Sequence, residues 1–208
     1  SKTDTADAFW SRRDLVERKR TSNLLEAFEA ETKIFSLRGD FDLDFATLTV
    51  SGAHTQKNTT NHTDFTPTFG PIFANRSGPI ALVAEREARG DLYEARLASK
   101  SGGALEWLVG ASYNHIETDL PSGAGFTGAA ALIETLFSGR FGAGVGALAA
   151  PGDRFTDYTL AIDGVEPALF GEATWRFTPE WRVTAGGRFF KTELKNLTVQ
   201  SGLFSLLS

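Results

Sequence analysis

The chain has 208 residues, a net charge of -5 and an isoelectric point near 5.3, with no cysteine and no methionine. That balance excludes a disulfide framework, a CxxC redox pair and a thiolate zinc site, and the acidic charge is a poor basis for nucleic-acid binding. No stretch of about 18 apolar residues exists to form a transmembrane helix, and the run Phe141–Ala150 is short and glycine-rich. The polar opening, Ser1–Arg20, does not resemble a signal peptide. With no Met at position 1, the expectation is an internal fragment of a longer protein.

Taken in order, Ser1–Thr32 is the least legible part. Charges of both signs over Asp14–Arg20 suit a solvated face. Asn23–Glu31 fits either a helical turn or two or the tail of a loop entering a strand. Lys33–Phe45 alternates clearly: Phe35, Leu37, Gly39, Phe41 and Leu43 against Ser36, Arg38, Asp40 and Asp42. Thr47–Lys57 follows after a short turn, with Leu48, Val50 and Gly52 opposed to Thr47, Thr49, Ser51 and Ala53. Side chains alternate across a strand, so each run makes one apolar and one polar face. Residues 58–89, with Pro67, Gly70, Pro71, Gly78 and Pro79, predict a long loop.

Gly90–Ser99 and Leu105–Ile116 form a second hairpin around Ser101-Gly102-Gly103, with Leu105, Trp107, Val109, Ala111 and Tyr113 on one face. Residues 117–165 predict a second long loop, with a short helix over Ala130–Phe137. The third hairpin spans 166–193 and turns at Thr178-Pro179-Glu180. There Leu169, Gly171, Ala173, Trp175 and Phe177 oppose Phe170, Glu172, Thr174 and Arg176, and Val183, Ala185, Gly187 and Phe189 share the matching face. Leu194–Ser208 is expected to begin another loop.

These runs exceed the usual soluble strand of about five or six residues and suit a tilted strand that crosses a bilayer in about 9–11. Short turns alternate with long loops, the asymmetry of transmembrane barrels; a sandwich would place turns every 8–12 residues or so. Trp175, Phe177 and Trp181 gather beside one turn, as in an aromatic girdle. The fold class predicted is all-β: an antiparallel transmembrane β-barrel segment of about six long strands in three hairpins (33–57, 90–116, 166–193), with two long extracellular loops (58–89, 117–165).

Specific stretches then resemble a family. Ala168-Leu169-Phe170-Gly171-Glu172, Phe177-Thr178-Pro179-Glu180-Trp181 and Thr184-Ala185-Gly186-Gly187-Arg188-Phe189 resemble a barrel hairpin of TonB-dependent outer-membrane receptors. So do Glu94–Ser99 followed by Leu105–Tyr113, and the hairpin around Phe41–Ser51. The resemblance covers roughly residues 33–195 and implies a middle slice of a barrel of about 22 strands. It implies import of a scarce large solute, such as a ferric siderophore, cobalamin or an oligosaccharide. The implied partners are outer-membrane lipid, a plug domain and an energy-coupling protein. A passive porin-like channel and a soluble β-rich binding or adhesin domain are the alternatives.

Alternation places Phe35, Leu37, Phe41, Leu48, Val50, Trp107, Val109, Leu169, Trp175, Val183 and Phe189 toward lipid, and Glu94, Arg96, Glu172, Arg176 and Arg188 toward the lumen. Paired charges of this kind usually line a wet barrel wall. No cofactor site, nucleophile triad or supported carboxylate pair emerges, so no enzyme is expected. The glycine run 139–146 lacks the Lys-Ser/Thr of a phosphate loop. Asp40, Asp42 and Asp44 start with calcium-loop spacing, but Phe45 and Ser51 hold the positions that need Gly and Glu. His62 and Asp64, taken as loop residues, are the nearest approach to a metal contact, although solvation accounts for them. The Asn-x-Ser/Thr triplets carry no weight in a bacterial barrel.

Overall fold

The computed structural model describes residues 2–6, 22–100, 102–149 and 152–206. The charged run Asp14–Arg20, and Ser101 of one turn, lie outside them. The described chain is one antiparallel meander: β1 (Lys2–Ala6), β2 (Ala27–Asp42), β3 (Ala46–Asp64), β4 (Ala81–Ser99), β5 (Leu105–Gly125), β6 (Arg154–Arg176), β7 (Arg182–Phe190) and β8 (Glu193–Gly202). Each strand from β1 to β7 pairs with the next, and β8 also pairs with β6. The sheet is open, with β1 at one edge and β7 and β8 at the other.

β7 and β8 are two halves of one strand. Ala168 pairs with Phe190 and Val165 with Glu193, so the register carries straight through the gap. The gap has a local cause. Pro167 has no N–H to donate to the ladder. Its carbonyl still accepts from Lys191 N at 3.2 Å. Beside it, Thr192 Oγ1 donates to Glu166 Oε2 at 2.9 Å. Leu194 therefore continues a strand, which corrects the expected loop at Leu194–Ser208; among the described residues only Leu203–Leu206 leaves it, as a short 3₁₀ turn.

The strands are also longer than alternation predicts. The loops expected at 58–89 and 117–165 contract to 65–80 and 126–153. β2 begins at Ala27, so the region over Asn23–Glu31 enters a strand and forms no helix. The reason is solvent. Leu105 to His115 covers ten residue steps, about 33 Å of strand at ~3.3 Å per residue. At a tilt of about 40° this gives a height of about 25 Å, the thickness of an outer-membrane apolar band. Beyond it the outward positions become Glu85, Glu87, Arg89, Glu117, Asp119, Asp163 and Lys195. Charges thus enter the outward face there, beside Leu197 and Val199 of β8, so clean alternation vanishes while the hydrogen-bonded ladder continues.

The buried core lies at the long-loop end rather than within the sheet. Phe73, Ile80, Phe126, Ile133, Val145, Phe155 and Leu203 pack together there. Phe73 ends the 3₁₀ turn Gly70–Phe73 that follows α1 (Thr66–Phe69), Ile133 lies on α2 (Ala129–Phe141), and Val145 opens the 3₁₀ turn Val145–Ala149. Phe155 lies at the start of β6, Leu203 follows β8, and Ile80 and Phe126 flank β4 and β5. Phe73 meets the rings of Phe155 at 4.9 Å and Phe126 at 5.0 Å. The apolar strand face has no such cover. Phe35, Leu37, Leu169, Trp181 and Phe189 are 64–81% exposed. A soluble domain would have to bury these residues against a second layer.

Candidate functional site

The register settles which residues share a face. Partners directly opposite in an antiparallel ladder project to the same side. Phe41, Leu48, Leu97, Val109, Gly171 and Gly187 form one transverse row, and Val50, Ala95, Ala111, Leu169 and Phe189 the next. All eleven residues expected to meet lipid fall on this side. Tyr93 and Tyr113 stand opposite each other near one margin of the apolar band. Trp175 and Phe177 lie near the other, with ring centroids 5.6 Å apart.

Glu94, Arg96, Glu172, Arg176 and Arg188 all carry the opposite parity and share the polar face. Asp40, Thr49, Arg96, Gly110, Phe170 and Arg188 make one row across it. Glu94 lies one row toward the loops and Glu172 one row toward the turns. The structure does not gather the five into a single constellation. Arg176 Nη2 pairs with Glu106 Oε2 at 3.0 Å, and Arg188 Nη2 with Glu166 Oε1 at 2.8 Å. Among the described residues Glu94, Arg96 and Glu172 form no ion pair.

Several polar-face contacts were not visible in the sequence. Thr49 Oγ1 donates to Asp40 Oδ1 at 2.6 Å, and the Arg38 guanidinium clamps the same carboxylate at 2.9 and 3.0 Å. Glu106 and Glu166 are the counter-charges of the two arginines above. Period-two parity marked all of them as polar; only the register shows which neighbours they meet.

The aspartates at 40 and 42 thus serve separate pairs, Asp40 with Arg38 and Asp42 with Lys100. His62 and Asp64 lie at the end of β3, which corrects their assignment to a loop. Asp64 organises the cap. It accepts from Asn23 N at 2.6 Å and Thr66 N at 2.9 Å, and its own N–H donates to the buried Glu26 at 2.7 Å. Burial opposes the Asp64 charge, but the hydrogen bonds its carboxylate accepts from Thr66 and Asn23 outweigh it and lower its pKa.

The helix expected over Ala130–Phe137 is α2, tied to its flanks by two carboxylates, Asp153 from beyond it and Glu134 from within it. Asp153 accepts from Gly128 N at 2.7 Å and Ala130 N at 3.2 Å, where a helix start leaves amides unpaired. Glu134 accepts from Gly146 N at 2.8 Å and Gly144 N at 3.0 Å. The amides of the glycine run, which suggested a phosphate cradle, therefore hold the chain's own carboxylate. Those amide bonds lower the pKa of both acids.

A family model for the β-barrel of TonB-dependent receptor-like proteins matches residues 2–205. The chain belongs to that family. No curated protein matches it. Among solved structures, the ferric yersiniabactin uptake receptor FyuA from Yersinia pestis is similar over 97% of this chain and 27% of its own, at 15% identity and a TM-score of 0.69. The ferric citrate transporter FecA in its unliganded form aligns over 83% and 22%, at 15% identity and a TM-score of 0.48. At such identities the likeness to FyuA shows the fold, and this chain spans about a quarter of that receptor's length. Members of the TonB-dependent receptor family are bacterial outer-membrane transport receptors that carry a plug domain and work with TonB. The open sheet seen here is part of a TonB-dependent receptor-like β-barrel, with one apolar face, one polar face and a folded cap.

Proposed function

We propose that this wall belongs to an outer-membrane receptor for energy-coupled uptake of a large, scarce solute, with a ferric siderophore as the first candidate class and cobalamin or an oligosaccharide next. The cap carries the choice of receptor over passive channel. A general channel needs an open mouth. Here the loops 65–80 and 126–153 pack into an aromatic core, a fixed surface on which a large solute can rest. Preorganised surfaces bind with less ordering cost than mobile loops. The plug domain and the energy-coupling protein are the partners of this scheme. Glu94, Arg96, Glu172, Arg176 and Arg188 line the wet wall that the plug and the solute pass.

The test is iron uptake by cells that depend on the intact protein. Labelled ferric siderophore is offered with and without a protonophore. Uptake that saturates and stops on de-energisation supports the receptor. Uptake that continues unsaturated in de-energised cells identifies a passive channel instead.

A further inference from the structure

We propose that His115, Glu117 and Asp163 form a binding site for a first-row divalent transition metal of the zinc class, on the outward side of the wall just beyond the apolar band. His115 Nε2 lies 3.7 Å from Glu117 Oε1 and 3.6 Å from Asp163 Oδ2. All three donor atoms lie within 4.8 Å of one another. Zinc bonds to nitrogen and oxygen at about 2.0–2.1 Å, so a tetrahedron spaces its donors about 3.3 Å apart. Two edges of the triangle are therefore within about 0.4 Å of that spacing. The third closes by rotation of carboxylates whose side chains are about half exposed, at 50% and 51%.

The sheet explains why the donors converge. His115 and Glu117 are two apart on β5 and share its outward face. Asp163 of β6 stands directly opposite Glu117. Two like charges in directly opposed positions destabilise a β pair, and a bound cation converts that repulsion into a bridge. The nearby cations do not neutralise the pair. Arg89, opposite Glu117, pairs with Glu87 on its own strand. Lys195, opposite Asp163, forms no ion pair with it. Asp91, opposite His115, is bound to His54 Nδ1 at 2.8 Å. An imidazole with two carboxylates suits zinc, cobalt or manganese better than calcium, which prefers six to eight oxygens or so. The fourth position faces outward, open to water or to an anionic headgroup oxygen.

The experiment uses the intact barrel in detergent, stripped with chelator and dialysed against zinc. The expected result is one zinc per chain that His115→Ala and Asp163→Asn each remove, with affinity weakened at least tenfold. His54→Ala keeps it. Glu117→Gln, a polar isostere at a half-exposed site, weakens binding while leaving the heat-dependent gel mobility of the folded barrel unchanged. Cobalt replaces zinc with visible absorption bands that disappear in His115→Ala. Absence of stoichiometric zinc in the parent protein, or equal binding in parent and His115→Ala, overturns the proposal.

Discussion

Val109 and Ser112 are three residues apart on β5, and the ladder puts them on opposite sides of the wall. Val109 is 49% exposed on the face that meets lipid, near the middle of the band. Arginine there leaves a charge in hydrocarbon and should cost about 2–4 kcal/mol. Ser112→Arg enters the wet face and should cost little. Urea unfolding of the two variants of the intact barrel in lipid checks this, and equal losses would reverse the assignment of faces. Gly110, between them, makes a different point. A Cβ there would meet the Phe170 ring and the Ala95 carbonyl oxygen at 2.9 Å. Gly110→Ala should therefore lose about 1–3 kcal/mol, the usual cost of overpacking, in the same unfolding experiment. Parity was legible from the residues alone, because lipid on one side and water on the other repeat every second position. The contacts Phe170–Gly110 and Arg176–Glu106 were not legible, since they depend on the stagger between strands.

At the scale of elements, the hidden quantity was strand length. Lys57, Gly90, Ile116 and Glu166 were read as ends because apolar alternation stops there, yet β3, β4, β5 and β6 run on to the cap. Alternation reports the solvent on each face; the ladder reports only hydrogen bonds. The cap was equally obscure, since its aromatics are scattered over loops with no period. Its core predicts that Phe73→Ala, at a fully buried site, costs about 3–5 kcal/mol locally. Limited proteolysis should then cleave 65–80 and 126–153 while the strands survive; cleavage equal to the parent protein would refute a packed cap. The carboxylates add a pH dependence. The folded pKa values of Glu134 and Asp153 lie below their ordinary 4.5 and 3.8. Their contribution is thus fully present above those values and is lost as pH falls through the lowered ones. Two proteases, one active in acid and one at neutral pH, each scaled to its rate on an unfolded control, should cut 142–153 only in that acid range. Glu134→Gln should be cut already at neutral pH.

For the whole molecule, the distribution of exposed apolar surface decides the environment. A water-soluble sheet buries such a face, whereas here Leu37, Leu169 and Phe189 stand free on one side and the packed core lies beyond the strands. The tryptophans turn this into a measurement. Trp107 and Trp175 share the apolar face, and Trp181, 68% exposed, flanks the adjoining turn. In vesicles of lipids brominated along the acyl chain, their fluorescence should be quenched. Replacing all three by phenylalanine should remove most of the quenchable signal contributed by this part of the barrel. Depth should also order them, because Trp107 lies further into the band than Trp175 and Trp181. Bromine near the middle of the acyl chain should therefore quench Trp107 more than the other two, and bromine near the headgroups should favour Trp175 and Trp181. Quenching that ignored bromine depth would leave the sheet without a fixed height in the bilayer. The outward charged rows, His115, Glu117 and Asp163 among them, would then lose their place just above the lipid.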